Sequence, residues 1–191
     1  MTTSVLTEVI SKERLHEIYA TEYYWYLKSE PFINAFLRPI AEEVNKRGDS
    51  CLDMCCGEGQ LAPFVKGRYL GVDSSTTAIQ LAMVKHGHTR DRQFLVDNLT
   101  GYARRWHNPP QFDTIVFGSV FQILIKPDCY VELLEQYLVF APKHFIIYDM
   151  EHLDQSSIDA RFKLVHEIHA TVDMPTLQDV KRSRKILVYE C

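Results

Sequence analysis

Leu52-Asp53-Met54-Cys55-Cys56-Gly57-Glu58-Gly59 joins an apolar strand pattern to a turn that contains two glycines. Glycine permits a tight strand-to-helix turn and lets a ligand approach the backbone closely. The continuation to Ala62 also fits the loose dinucleotide pattern G-x-G-x-x-[GA]. That match is weak by itself, so the charged residues around the turn have to decide which ligand it serves.

Short apolar segments alternate with helical segments from this turn onward. Alternation of this kind implies a parallel, doubly wound sheet with right-handed crossovers. At the far end, two adjacent strand patterns with a short connection predict an antiparallel hairpin. The sequence therefore predicts an α/β fold with a mostly parallel, seven-stranded, Rossmann-like sheet. The predicted strands are Cys51–Cys55, Arg68–Asp73, Arg92–Val96, Thr114–Gly118, His144–Tyr148, Phe162–Met174 and Arg184–Cys191, and the main helices between them are Thr76–His86 and Cys129–Phe140.

The first fifty residues are predicted to be helical, because apolar side chains recur there at helical spacing. Pro31 suits a helix start, and Pro39 should kink or restart the helix. No repeat or linker divides the chain, so we expect one domain over residues 1–191, with residues 1–48 as an N-terminal helical cap. Within the cap, Tyr19 and the run Tyr23-Tyr24-Trp25-Tyr26 either pack the core or form a lid over the site.

Composition narrows the class of protein. Hydrophobic residues make up 46% of the 191 residues, enough for a sizeable core, and the formal net charge is −4. This charge gives no long-range attraction to nucleic acid, and no apolar run is long enough to cross a membrane. The N-terminus has no signal-peptide pattern, and five cysteines with no disulfide pattern are expected to be reduced. We therefore expect a cytoplasmic protein whose partner is a small molecule.

Acidic residues favour a cationic ligand over a dinucleotide. Asp53 ends the first strand and Glu58 lies within the turn, where a carboxylate would repel pyrophosphate. S-adenosylmethionine has no phosphate and carries a sulfonium and an ammonium group, which acids suit. Asp73 and Asp97 end the next two strands, at the edge where open α/β sheets bind ligands. Their positions suit the ribose hydroxyls and the adenine amino group of an adenosine.

Together, these features resemble the class I S-adenosylmethionine-dependent methyltransferase family over roughly Cys51–Cys191. The resemblance implies that the methionine part of the donor lies at the glycine turn, the ribose at the second strand, the adenine at the third and the reacting methyl near the fourth. The implied donor-binding residues are Asp53, Cys55, Gly57, Gly59, Asp73, Ser74, Asp97, Asn98, Gly118 and Ser119. Two departures stand out: Cys55 replaces a glycine usual in the family, and the helix after the turn is short and contains Pro63.

The expected reaction is methyl transfer to a nitrogen or oxygen of a small-molecule acceptor. Many small-molecule members carry a histidine just after the fourth strand, but this chain has Gly118–Ile123 there. The catalytic group is thus unknown, and the candidates are Tyr23, Tyr24, Tyr148, Asp149 and His152. The alternatives are a protein or RNA methyltransferase and a catalytically inactive binding or regulatory subunit. The oligomeric state is left open.

Three other motifs have simpler interpretations. Asn108-Pro109-Pro110-Gln111 precedes the fourth strand and is interpreted as a turn. His166 and His169 would point to opposite faces of a strand, so no metal site is predicted. Lys181-Arg182-Ser183-Arg184-Lys185 is expected at the hairpin turn, either as a solvated face or as a contact for a phosphate-bearing substrate.

Overall fold

Seven strands form one sheet in the computed structural model, which describes residues 28–174 and 180–191. The strands are β1 (Ser50–Met54), β2 (Arg68–Asp73), β3 (Arg92–Val96), β4 (Thr114–Gly118), β5 (His144–Met150), β6 (Lys163–Met174) and β7 (Val180–Glu190). Their order across the sheet is β3-β2-β1-β4-β5-β7-β6. β1 to β5 are parallel, and β7 runs antiparallel to both β5 and β6. The predicted sheet and its C-terminal hairpin are confirmed.

The chain reverses its direction of travel across the sheet at β1. From β1 it proceeds outward to β2 and β3, and then returns to the other side of β1 as β4 and β5. The loops after β1 and β4 therefore diverge at the carboxyl edge of the sheet. A crevice at such a switch point is where open α/β sheets bind ligands.

Helices cover both faces of the sheet. The α-helical segments are α1 (Glu30–Phe32), α2 (Arg38–Arg47), α3 (Thr76–His86), α4 (Leu99–Tyr102), α5 (Phe121–Leu124), α6 (Tyr130–Tyr137) and α7 (Ser156–Asp159), with short 3-10 turns at Ala62–Phe64, Ala103–Arg105, Pro127–Cys129 and Leu138–Phe140. One hydrophobic core cluster lies between the sheet and α1, α2 and α3, and the other lies between the opposite face of the sheet and α4 to α7. Alternate residues of β1 belong to the two clusters: Leu52 and Met54 pack in the cluster under α4 to α7, and Cys51 packs in the cluster under α1 to α3. Asp53 shares a face with Cys51 because strand side chains alternate.

The N-terminal helical segment behaves as its prolines predict. Pro31 lies in the first turn of α1, and Ser29 caps that helix. A π-helical turn, Ile33–Leu37, separates α1 from α2, and Pro39 lies in the first turn of α2. Proline lacks the N–H that would continue the i to i−4 ladder, so the ladder is interrupted there. The rest of the predicted cap, residues 1–27, lies outside the described residues.

The basic cluster near the C-terminus does not form the hairpin turn. β7 begins at Val180, so Arg184 and Lys185 lie within a strand that has β5 on one side and β6 on the other. Arg184 is 2% exposed and Lys185 is 7% exposed. The Lys185 ammonium donates to the Leu153 carbonyl and the Gln155 side chain. The expectation of a solvated or phosphate-binding turn is therefore wrong for these two residues.

Across the described part of the chain, no helix has the length and apolar character needed to span a membrane. The five cysteines are free thiols. Cytoplasmic location stays a prediction.

Candidate functional site

The loop after β1 is a compact turn built on left-handed residues. Cys55, Gly57 and Gly59 have φ of 61°, 56° and 71°. The Cys56 N–H donates to the Val72 carbonyl (3.1 Å), which fastens the loop to β2. The connection from β1 to β2 then contains only the 3-10 turn Ala62–Phe64, with Pro63 inside it. This confirms the expected short helix, and it means that no α-helix N-terminus follows the loop.

Cys55 occupies the position at which the family usually has glycine. A left-handed backbone costs a residue with a Cβ about 1–2 kcal/mol, which explains the usual glycine. The side chain is partly buried against the core cluster on the α4-to-α7 face. The chain therefore maintains a strained residue at the centre of its candidate site.

Gly59 is required by packing as well as by its backbone. A Cβ at Gly59 would lie 2.6 Å from Cε1 of Phe94 and 3.1 Å from Cδ2 of His86. Phe94 comes from β3 and His86 from α3, so glycine lets the loop rest directly on both elements. The loop thus packs directly on α3 and β3.

Asp73 joins the loop to the end of β2. Its Oδ2 accepts the Gly57 N–H at 2.9 Å, and its Oδ1 accepts the Ser75 N–H at 2.8 Å. The side chain is buried, and burial raises the pKa of Asp73 while the backbone N–H groups of Ser75, Gly57 and Ser74 oppose that rise. Each carboxylate oxygen has a second lone pair, so these bonds leave acceptor capacity for a ligand. The contact with ribose stays a prediction, as does the role of Ser74.

Asp53 is a buried carboxyl whose hydrogen bond comes from a tyrosine. The Tyr69 hydroxyl donates to Asp53 Oδ2 at 2.5 Å. Burial raises the pKa of Asp53 to about 7, the Tyr69 hydrogen bond opposes the rise, and the charge of Asp73 adds to it. Among the described residues, no lysine, arginine or histidine forms a salt bridge with Asp53 or Asp73. The switch point therefore holds two neighbouring acids and no ion-paired cation from the described chain.

Glu58 does not join these two acids. Its carboxylate forms salt bridges with Lys28 (3.0 Å) and with Lys85 at the end of α3. Glu58 is 3% exposed, so its charge is neutralised inside the protein. The expectation that Glu58 repels phosphate or attracts the donor is wrong because the two lysines compensate its charge. Both lysines lie far from Glu58 in the sequence, so no local pattern reveals them.

Asp97 and Asn98 follow β3 and already have partners. Asp97 Oδ1 accepts from the Arg105 guanidinium and the Asn98 N–H, at 2.5 and 2.6 Å. Asn98 is the N-cap of α4, and its Oδ1 accepts the Gly101 N–H at 2.6 Å. The side-chain oxygen of Asn98 is thus occupied by the cap of α4, whereas the described residues leave Oδ2 of Asp97 available to a ligand. Their contact with adenine stays a prediction.

Gly118 and Ser119 lie at the end of β4, across the switch point from the loop. A Cβ at Gly118 would meet no atom of the described residues within 4 Å, so these residues leave the space beside it open. The backbone of Ser119 is in the left-handed region, with φ of 56°. Its N–H donates to the Tyr148 carbonyl, and its Oγ accepts from Arg184 Nη1 at 2.6 Å. The Arg184 guanidinium also lies 5.0 Å from the centre of the Tyr148 ring. The sequence pattern places Arg184 only within a basic cluster on a solvated or phosphate-binding turn, and does not predict its hydrogen bond to Ser119.

The geometry of the sheet is shared with solved methyltransferase structures. The N-methyltransferase NodS from Bradyrhizobium japonicum WM9, in complex with S-adenosylhomocysteine, is 14% identical over 93% of this chain and 96% of its own, with a TM-score of 0.72. Magnesium protoporphyrin IX methyltransferase, ChlM, from Synechocystis PCC 6803 with bound S-adenosylmethionine is 12% identical over 100% of both chains, with a TM-score of 0.65. This chain has the class I methyltransferase fold.

The methyltransferase fold is shared with enzymes that act on different acceptors. The tRNA (uracil-54, C5)-methyltransferase from Pyrococcus abyssi is 16% identical over 84% of this chain and 38% of its own, with a TM-score of 0.57. No protein-family model matches the sequence, and no curated protein is similar to it in sequence. The acceptor therefore has to be argued from the residues of this methyltransferase fold itself.

The candidate catalytic residues differ in their access to the carboxyl edge. Tyr148 is 4% exposed. Asp149 is fully buried, and its carboxylate accepts the N–H groups of Phe121 and Met150, at 2.9 and 2.8 Å. These contacts make Asp149 an anchor for the start of α5, which does not suit a general base that must reach an acceptor. His152 lies exposed in the turn after β5. Tyr23 and Tyr24 lie outside the described residues.

The two histidines of β6 have separate partners. His166 Nδ1 lies 3.2 Å from Glu43, whereas His169 Nδ1 lies 2.6 Å from Glu151. Within the described ranges, no three histidine, cysteine or acidic side chains are grouped as metal ligands. The Asn108–Gln111 segment is an irregular connection before β4, as its interpretation as a turn expects.

Proposed function

We propose that this chain transfers a methyl group from S-adenosylmethionine to a nitrogen or oxygen of a small-molecule acceptor. The observation that carries the proposal is the pair of buried acids, Asp53 and Asp73, at the switch point of a methyltransferase fold. Neither acid has a salt bridge from the described residues. A ligand that brings its own positive charge would compensate them.

The donor fits these residues better than a dinucleotide does. A pyrophosphate needs a helix N-terminus after the glycine loop, and the described connection between β1 and β2 has only a three-residue 3-10 turn. The two phosphates would also meet the negative charge of Asp53, whereas an acid at the end of the second strand, such as Asp73, can accept ribose hydroxyls from either ligand. The methionine part of the donor presents an ammonium and a sulfonium instead. Glu58 plays no part in this argument because Lys28 and Lys85 neutralise it.

The proposed donor contacts follow the order of the strands. Asp53 and the loop from Cys55 to Gly59 hold the methionine part, and Asp73 with Ser74 holds the ribose. Asp97 contacts the adenine amino group, because the Asn98 side-chain oxygen already caps α4. Gly118 and Ser119 border the place of transfer, where the space that the described residues leave open beside Gly118 admits the acceptor.

The chemistry required of the protein is chiefly alignment. When bound, the donor supplies a methyl group that its positive sulfur has already activated. The acceptor atom forms a bond to the methyl carbon as the carbon–sulfur bond breaks, and the electron pair of that bond goes to sulfur to leave S-adenosylhomocysteine. The chain holds donor and acceptor in line and excludes water. A neutral amine needs little more, whereas a hydroxyl normally needs a base, a role that the buried Asp149 does not suit.

A small acceptor is supported by charge. The formal net charge is −4, and Arg184 and Lys185 of the basic cluster are buried rather than offered to a polyanion. A methyl-transfer screen with isotopically labelled S-adenosylmethionine should cover amines, hydroxylated metabolites, peptides and tRNA. We expect label in an amine or hydroxylated metabolite, and about ten- to a hundred-fold less label with Asp73→Ala when the donor is below saturation. Label in tRNA or peptide alone would refute the small-molecule acceptor, and donor binding without transfer to any class would support a binding subunit.

A further inference from the structure

Tyr69 reaches Asp53 across the face of the sheet. β1 and β2 are paired so that Asp53 lies opposite Gly71 and Cys51 lies opposite Tyr69. The Tyr69 side chain is fully buried and extends along its own strand, so its hydroxyl meets the carboxylate that lies two residues farther along β1. A Cβ at Gly71 would lie 3.1 Å from Cε1 of Tyr69 and 2.8 Å from the Cys56 sulfur. The absence of a side chain at Gly71 thus gives the tyrosine ring its path.

The hydrogen bond occupies only one of the two Asp53 oxygens. The 2.5 Å contact joins the Tyr69 hydroxyl to Oδ2, and no described residue donates a hydrogen bond to Oδ1. Tyr69 is itself fixed, because its ring packs 5.8 Å from that of Phe94, the residue on which the loop rests. A fixed donor on one oxygen limits the rotation of the carboxylate about its χ2 bond, which is otherwise broad for aspartate.

We propose that Tyr69 is a positioning residue of the donor site: its buried hydroxyl holds Asp53 in one orientation and keeps Oδ1 for the ammonium group of the donor. This inference rests on the proposed function. It assigns to β2 a second contribution to donor binding, beside Asp73 at the end of the strand. It acts through Asp53, so Tyr69 needs no contact with the donor.

The same hydrogen bond favours the ionised form of Asp53. Burial and the charge of Asp73 both raise the pKa of Asp53, and the Tyr69 hydroxyl lowers it. A carboxylate that binds a cation must be ionised, so donor affinity should rise with pH and level off above the pKa. Loss of the hydroxyl removes a charge-assisted hydrogen bond, and the midpoint of this rise should then move upward by about one to two pH units.

The test is calorimetric titration of S-adenosylhomocysteine into wild type and Tyr69→Phe between pH 5.5 and 8.5. Wild-type affinity should level off near pH 8, while Tyr69→Phe should bind about five- to fifty-fold more weakly at pH 7 and still gain affinity at pH 8.5. Tyr189→Phe is the matched control, because the Tyr189 hydroxyl donates a similar hydrogen bond of 2.7 Å to an aspartate, Asp159. Tyr189 pairs with Phe145 at the amino end of β5, whereas the switch point lies at the carboxyl edge of the sheet. The pH midpoint of Tyr189→Phe should equal that of wild type.

The outcomes separate this inference from the proposed function. Equal midpoints in Tyr69→Phe and wild type would overturn the role of Tyr69 and leave the donor assignment intact. No binding of S-adenosylhomocysteine to the folded wild type at any pH would overturn the proposed function itself. If Tyr69→Phe does not fold, Asp53→Asn and the double variant Asp53→Asn/Tyr69→Phe replace it. Their affinities should agree within about twofold if Tyr69 acts only through Asp53, and a larger difference would refute that route.

Discussion

Replacement of Asp53 by asparagine should stabilise the ligand-free protein at pH 8. The carboxyl is buried beside Asp73, and its pKa in the folded protein is about 7, against a usual value of 3.8. A raised folded pKa means that the folded protein binds a proton more tightly than the unfolded chain. The free energy by which this tighter proton binding stabilises the folded protein is fully present below pH 3.8 and is lost as the pH rises through 7. Asparagine cannot ionise and avoids that loss.

The magnitude follows from the two pKa values. Their difference of about three units corresponds to about 4 kcal/mol at high pH, of which about 2–3 kcal/mol is lost between pH 5 and pH 8. Asparagine keeps an oxygen for the Tyr69 hydroxyl, but its amide N–H groups need partners, which costs about 1–3 kcal/mol. We therefore expect Asp53→Asn to gain about 1–3 kcal/mol at pH 8, or roughly 2–12 °C in Tm.

Urea unfolding of wild type and Asp53→Asn at pH 5 and pH 8 measures this effect. The wild type should lose about 2–3 kcal/mol more than the variant between the two pH values, because the other titrating groups are common to both. Asp113→Asn is the control with the opposite sign. Lys143 and Ser50 hold the pKa of Asp113 at about 2, so its replacement should destabilise the protein at pH 8. Equal pH dependence in wild type and Asp53→Asn would refute the account of an uncompensated buried acid.

Three further changes test the site. Asp73→Ala should weaken S-adenosylmethionine and S-adenosylhomocysteine binding together by about ten- to a hundred-fold in calorimetry, since it removes a charged acceptor; unchanged affinity for both would rule out the ribose contact. Gly59→Ala should lower Tm more than Gly57→Ala, because both residues have positive φ but only a Cβ at Gly59 would lie within 3 Å of the Phe94 ring; equal losses would mean that the backbone alone requires glycine. Cys55→Gly should change the free energy of unfolding by less than about 1 kcal/mol, because relief of left-handed strain offsets the backbone entropy that glycine loses on folding. It should also raise donor affinity in the same titration, and weaker binding would assign the thiol a favourable contact with the donor.

The sheet is predictable because its strands have strong local signals. Arg68–Asp73 and Thr114–Gly118 are found with the correct bounds, since each is a short apolar run that ends at glycine or aspartate. β7 is different: its first residues are charged, so the pattern places its start at Arg184 instead of Val180. Residues 180–183 pair with β6 alone, since the pairing with β5 begins at Arg184, and this pairing outweighs their low strand preference.

The site is predictable in its position but not in its charge balance. Strand ends identify Asp53 and Asp73, because parallel strands bring their carboxyl ends to one edge. The neutralisation of Glu58 depends on lysines 30 positions before it and 27 positions after it, and no local pattern reveals such pairs. The hydrogen bond from Tyr69 to Asp53 depends on the register of β1 and β2, and the burial of Asp149 follows from the position of β5 between β4 and β7. Both require the assembled sheet.

The switch point should bind adenosyl ligands that present an ammonium group, and no dinucleotide. Calorimetric titration of the wild-type protein with S-adenosylmethionine, S-adenosylhomocysteine and NAD at pH 6 and pH 8 tests it directly. Both adenosyl ligands should bind at one site, about tenfold more tightly at pH 8 than at pH 6, because a group with a pKa of about 7 ionises between them. NAD should not bind at either pH. Binding of NAD without binding of either adenosyl ligand would contradict the account.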